Sequence, residues 1–376
     1  ATVFGLAVAS ATGQGRILRV PGDYAFIQPA IDAARDGDVV RCDHKLYVGA
    51  RLLIQGKAIH LIAPSRIDLL LGHVTIRQVP AGRTLSVRGF KMQRMFIDNC
   101  PGTVLIDECE TSLHALGKIA ALEIHRSRQV LVERSRLTGV PPLQVDESTV
   151  SITDSEILGQ SSWFQAHYGW AVSSPAISST NSVGTLSRTL LRGGYSWPQS
   201  LRAAQPALEM FGGRWTITGV EQTRLSAGVK PGQAVPVFAG QGDIELDPRV
   251  SLHPSGNASP AVGVRLIKRA IPSLSANRVA NGVVVELATE PWRAYAITVG
   301  LPGPRVPVGA LGELWHSTSA FAVVTAGSVG ATGQWVGRYP LASPIGLFPQ
   351  PVVWQAVVGT RAGAIRLSNP DAFLVW

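Results

Sequence analysis

The sequence predicts an all-β chain: a right-handed parallel β-helix with a short N-terminal capping helix, followed by a small antiparallel β-sandwich-like domain. Three observations predict it. Segments that alternate apolar and polar residues recur along the first two thirds of the chain. The stretch "VPGDYAFIQPAIDAARDGDVV" (20–40) places one amphipathic helix directly before an apolar strand. Charged residues are only 16% of the chain while glycine (39) and proline (25) are plentiful, which favours many short strands joined by turns. With 376 residues there is room for two domains.

The chain opens "ATVFGLAVASATGQG" (1–15). Val3 to Val8 form an apolar run and Ala9-Ser10-Ala11 fits an A-x-A cleavage site, so residues 1–15 read as a signal-peptide remnant and leader. Pro21-Gly22-Asp23 is turn chemistry. Ile27, Ala30, Ile31 and Ala34 then recur at helical spacing, and Asp36-Gly37-Asp38 stops the helix before Val39-Val40. A helix with one apolar stripe suits the open end of a solenoid, whose first coil exposes apolar side chains and unpaired strand edges.

The repeat follows. "MFIDNCPGTVLIDECETSL" begins at Met95, "LEIHRSRQVLVERSRLTG" at Leu122, "LQVDESTVSITDSEILG" at Leu143 and "LEMFGGRWTITGVEQTRLSAG" at Leu208. Each unit reads as a strand, a turn, a second strand and a polar loop. Ile97, Ile124, Val145 and Met210 align in the first strand; Ile106, Val132, Ile152 and Ile217 align in the second. Periods of roughly 20–50 residues mean solenoids, and the alternation of two makes the rungs strands. "HVTIRQV" (73–79) and "TLSVRGF" (84–90) form an earlier coil. Cys109, Ser135 and Ser155 close the second strands as small residues able to stack coil upon coil. The three cysteines, Cys42, Cys100 and Cys109, form no C-x-x-C pair, which excludes a zinc knuckle or redox pair; a Cys100–Cys109 disulfide and buried free thiols both fit.

Residues 19–64 resemble the N-terminal coil of secreted β-helix proteins of the pectin-lyase-like superfamily. The V-P-x-D-Y-x-T-I-Q-x-A-I-D-A-A start of those proteins stands here as "VPGDYAFIQPAIDAA", and their G-K-x-I-x-L strand as "GKAIHL" (56–61). The resemblance implies the fold. It implies no single activity, because the superfamily mixes lyases, hydrolases, esterases and proteins without known catalysis. One departure is "CDHKLY" (42–47), where members read A-P-G-x-Y after the first strand. The β-helix is expected over 16–254, with "HPSGNASPAVG" (253–263) as a linker and about seven short strands over 255–376. "VGATGQWVGRYPL" (329–341), "VVWQAVVGT" (352–360) and "LSNPDAFLVW" (367–376) are similar to a C-terminal β-domain of exported bacterial proteins, notably in planctomycetes. Trp292, Trp315, Trp335 and Trp354 are expected in its core.

Chemistry is sought on the outer strand surfaces. If Ile124 and Val145 point inward, His125 and Asp146 point out, flanked by Glu123 and Gln144, and Asp98 holds the matching place one coil earlier. Asp107 and Glu133 take the outer position on the next strand. In a lyase, carboxylates hold calcium through hard oxygen ligands, His125 removes the proton beside a uronate carboxylate, and Arg126 or Arg128 neutralises the substrate. In a hydrolase, Asp98 and Asp146 act as acid and base. The plainer reading is a solvated ladder of mutually neutralising charges, since outer strand faces are normally polar. Metal ligands are not assigned, and outside the lyase reading no cofactor is expected.

A second candidate is the aromatic loop "SSWFQAHYGW" (161–170), with Trp163, Tyr168 and Trp170, joined by Tyr195 and Trp197 of "GGYSWP" (193–198) as sugar-stacking rings. No paired-aspartate signature of polygalacturonases, no pectin methylesterase block, and no G-x-S-x-G, H-E-x-x-H or P-loop is present. The net charge of +9 admits anionic partners, but charge alone gives no reason to expect nucleic acid. No run is long and apolar enough to span a membrane. The expectation is a secreted or cell-envelope module that binds polysaccharide or envelope glycan without catalysis. A polysaccharide lyase or glycoside hydrolase is the alternative, and a ligand-free surface scaffold the third class.

Overall fold

The computed structural model describes residues 15–43, 49–63, 70–112, 120–160, 173–196, 203–219, 223–279, 282–307, 313–340, 350–359 and 363–375. The expected leader falls outside these residues except for Gly15, as does most of "CDHKLY".

Twenty-two strands join into one parallel sheet coiled as a β-helix. Each regular coil carries three strands, where the sequence pattern suggested two. The first ladder stacks Arg51–Gln55, the ends of Leu70–Arg77 and Lys91–Asp98, then Leu122–His125 and Leu143–Asp146. The second runs from Ile17–Val20 through Val39–Cys42, His60–Ile62, Thr84–Arg88, Thr103–Asp107, Gln129–Glu133 and Thr149–Thr153. From Ile177–Ser187 onward single strands serve both ladders, through Leu208–Thr218 and Phe238–Leu246 to Ala261–Lys268. The third ladder is short-stranded: Glu110–Ser112, Arg136–Gly139, Glu156–Gly159, Leu190–Arg192, Arg224–Ser226 and Ser251–His253. These third strands escape a periodicity search because three or four residues barely show alternation. The parallel ladder runs past the composition change at Pro254 to Lys268.

Inward residues fill a continuous core, with Ile97, Ile124, Val145 and Met210 in one register column and Ile106, Val132, Ile152 and Ile217 in another. Helix Ile27–Ala33 closes the N-terminal end, burying Ile27, Ala30 and Ile31 against that core. The Lys57 ammonium donates to the carbonyls of Ile31, Asp32 and Ala34, the orphan acceptors of the helix end.

Coil corners repeat one motif. An outward residue ends the strand, a left-handed residue follows, and a small polar residue turns inward. Asn99, Arg126, Glu147 and Asn181 take the left-handed place after the first ladder, and Glu108, Arg134, Asp154 and Arg188 after the second, with φ between 45° and 53°. Their backbone N–H groups donate to the next coil, as in Arg126 to the Asp146 carbonyl at 3.0 Å. The small residues then form two internal ladders. Cys100 N–H donates to Ser127 Oγ, Ser127 N–H to Ser148 Oγ and Ser148 N–H to Ser182 Oγ. The second ladder links Cys109, Ser135 and Ser155 in the same way. Cys100 and Cys109 therefore occupy serine places as buried free thiols, and Cys42 is also free and buried. Burial pushes the Cys109 thiol up to about 12.

The C-terminal region holds a three-stranded antiparallel sheet (Ser273–Val279, Gly282–Ala288, Gln334–Tyr339) and a five-stranded one (Ala294–Pro307, Glu313–Ser328, Gln350–Gly359, Ile365–Leu367, Asp371–Val375). Leu274, Val285 and Leu287 of the first pack with Ile297, Trp354 and Val358 of the second. Trp315 and Trp354 are buried and Trp335 half-buried, but Trp292 is 72% exposed, on a left-handed turn residue. The sandwich lies on the second ladder of the β-helix. Trp315, Val353 and Ala372 pack on Val39, Ile62, Leu105 and Leu131, Gln129 donates to the Trp315 carbonyl, and Arg188 bridges Asp154 and Asp371.

Candidate functional site

The first-ladder wall has a polar outer face, and its register brings the expected column together. His125 pairs with Asp98 on one side and Asp146 on the other, with Arg77 beyond Asp98. The parallel row contains Phe96, Glu123 and Gln144. Strand alternation sets both rows outward because Ile97, Ile124 and Val145 between them fill the core.

Asp98, Glu123 and Asp146 are each held by a neighbour. Asp98 accepts from Arg126 at 2.7 Å and faces Arg77 at 3.9 Å. Glu123 accepts from Arg94 through both oxygens at 2.8 Å. Asp146 accepts from Gln144 at 2.8 Å and lies 3.1 Å from His125 Nδ1. His125 Nε2 points toward Glu123 at 3.6 Å, beyond hydrogen-bonding reach. The imidazole leans on Phe96, ring centroids 5.3 Å apart, and the Arg77 guanidinium covers the other part of that ring at 5.5 Å.

This arrangement offers hydrogen-bond donors, acceptors and an aromatic edge, but no free carboxylate pair for acid and base work. Asp98 accepts through Oδ1 and Asp146 through Oδ2, while both Glu123 oxygens are engaged by Arg94. Among the described residues no group of three or more His, Cys, Asp or Glu side chains could hold a metal ion.

Of the two cationic residues expected to meet substrate, Arg126 is committed to Asp98 while its side chain stays 63% exposed. Arg128 stands past the corner at the entry to the second ladder, exposed, with no ion pair among the described residues. Trp163, Tyr168, Trp170 and Trp197 lie outside the described residues. Tyr195 is described and partly exposed after the third-ladder strand Leu190–Arg192. Asp107 and Glu133 do face outward from the second ladder, but the sandwich buries both.

Sequence reasoning missed two wall residues. Glu209 follows Ser178 in the Glu123 row, and partial burial raises its carboxyl above the usual range. Phe211, early in the same strand Leu208–Thr218, continues the Asp98/His125/Asp146 row through Thr180 and is 52% exposed. The alternation in "LEMF" (208–211) carried the signal for both.

No protein-family model matches the chain, and no curated protein matches it in sequence. Among solved structures it is similar to the full-length tailspike protein 2 from Escherichia coli O157:H7 bacteriophage CAB120, with 9% identity and a TM-score of 0.29 over 89% of this chain. The enzymatically active domain of the bacteriophage CBA120 tailspike protein 2 is matched with 9% identity and a TM-score of 0.32, over 93% of this chain and 73% of that one. The chain spans 57% of the length of the full-length tailspike. At this identity and these scores neither likeness extends to site residues or activity.

Proposed function

We propose that the chain is an extracellular or cell-envelope β-helix module of pectin-lyase-like type that binds an acidic polysaccharide on its first-ladder wall without cleaving it. The observation that carries this reading is the pairing of Asp98, Glu123 and Asp146 with neighbouring groups. Paired in this way, the three carboxylates serve as fixed hydrogen-bonding groups, and His125, with Nδ1 on Asp146 and Nε2 without a hydrogen-bond partner among the described residues, is the group of the column left to move a proton. Glu209 is the exception among the carboxylates, but its register neighbours Ser178 and Ala239 supply no second carboxylate.

Three features favour an acidic glycan. The exposed Arg126 stands at the wall edge and the exposed Arg128 past the corner, Phe211 offers an exposed ring and Phe96 a partly buried one, and the chain carries a net charge of +9. No helix among the described residues is long and apolar enough to cross a membrane.

The test is a panel of uronate-containing polysaccharides, read for binding by retention and for products by ultraviolet absorbance and reducing ends. Salt-sensitive binding with no product is expected. Unsaturated sugar or new reducing ends would instead make the chain a lyase or hydrolase, and no retention at all would leave a scaffold.

A further inference from the structure

A groove of about 500 Å³ runs along the corner between the second and third ladders, away from the first-ladder wall. Its lining is written in the sequence as one triplet per coil: "ECE" (108–110), "RSR" (134–136), "DSE" (154–156) and "RTL" (188–190). The first residue of each triplet is the left-handed corner residue, and the last opens the third ladder, in register with its neighbours from coil to coil. The middle Cys or Ser turns inward. The groove floor thus carries bands of alternating sign, one per coil, about 4.8 Å apart. Lys91 extends the series one coil earlier, paired with Glu110 at 3.2 Å.

Four cations and four carboxylates line this groove, so its net charge is zero. Arg134 and Arg188 are also fixed in place, and the more exposed Arg136 and Lys91 pair with carboxylates of the same groove. Arg134 is bonded to Asp107 and the Ala372 carbonyl, Arg188 to Asp154, Asp371 and the Leu274 carbonyl, and Arg136 to Glu156 at 3.1 Å. A polyanion or polycation gains no net attraction along such a floor. A neutral chain of hydroxyl groups can donate to every acidic band and accept from every basic one, and at Arg134 and Arg188 the side chains are already ordered by their partners. The volume lies in the range of small-ligand sites.

We infer that this corner groove is a second binding site, taking a neutral polyhydroxylated chain, a neutral glycan, laid along the β-helix axis. The inference rests on the glycan-binding reading of the chain but not on the first-ladder wall. The experiment is calorimetric titration of the full chain with neutral hexasaccharides of glucose, mannose, galactose and xylose, and with hexagalacturonate as the charged control. At least one neutral hexasaccharide should bind with little dependence on salt. A Glu110→Gln/Glu156→Gln double variant, and separately Arg136→Gln, should weaken it by roughly tenfold or more, with unchanged melting temperature showing that the fold is kept. Phe96→Ala should leave it unaltered. Failure of all four neutral probes, affinity unchanged in both groove variants, or preference for hexagalacturonate at this groove would overturn the inference. Binding lost only in Phe96→Ala would also overturn it while keeping the wall. Loss only in the groove variants, with no acidic glycan bound anywhere, would keep the groove and remove the wall.

Discussion

Glu133 ends the strand Gln129–Glu133 with both carboxylate oxygens buried and unpartnered among the described residues. Burial, and after it the charge of Asp371, holds its carboxyl well above the usual range; Asp154 and Asp107 push the same way, and Arg134 opposes them. Burial also raises Asp107 against Arg134 and Arg88, and Asp371 against Arg188 and Arg134. A carboxyl raised in the folded state stabilises fully below its unfolded pKa, and that contribution is lost as pH rises through the folded value. Glu133→Gln keeps the shape and removes one titration. The wild-type melting temperature should therefore fall relative to the variant as pH is raised from acidic to mildly alkaline; parallel curves would show that Glu133 does not titrate there. Alternation placed Asp107 and Glu133 on an outer face, and they are on one. That this face is covered was not legible, because Trp315, Val353 and Ala372 come from a distant part of the chain and leave no local pattern beside Leu105 or Leu131.

Among the elements, the N-terminal helix expected over 25–35 is the shorter Ile27–Ala33, and its apolar stripe was legible, since Ile27, Ala30, Ile31 and Ala34 are all buried. The part played by Lys57 was not, because a cap delivered from a neighbouring coil has no signature in the helix itself. Its ammonium serves three carbonyls at 3.0 to 3.1 Å. Lys57→Met should cost about 1.5–3 kcal/mol, the range for hydrogen bonds to charged groups, measured by denaturant unfolding; a loss below about 0.5 kcal/mol, the scale of a neutral surface substitution, would contradict the cap. The corner motif was half legible. Cys109, Ser135 and Ser155 announced one of the two internal ladders, the Cys100/Ser127/Ser148 ladder went unread, and arginine and glutamate at left-handed positions run against the preference for glycine and asparagine. Coil-to-coil bonding from Arg126, Glu147, Arg134 and Asp154 holds them there. Sign alternation from Arg77 to Asp98, and from Glu110 through Arg136 to Glu156, also opposes a slip of one coil, which would set like charges side by side.

At the scale of the whole molecule, the sandwich divides the β-helix surface into a covered and an uncovered part. It covers the second ladder, leaves the first-ladder wall open, and anchors the arginines that floor the corner groove. Register in the sequence sufficed to assemble the wall column of Asp98, His125 and Asp146. It could not supply the pairing partners, since Arg94 and Arg77 lie on earlier coils whose offsets are less regular. The central claim is that this wall binds an acidic glycan without cleaving it. The most direct measurement is the affinity for the best-retained uronate polysaccharide, with products monitored, in the wild type, in Phe96→Ala and in Val336→Ser on the exposed sandwich surface. Phe96→Ala should weaken binding by roughly tenfold, Val336→Ser should leave it unchanged, and no product should form. Equal affinity in Phe96→Ala, or any released saccharide, would contradict the account.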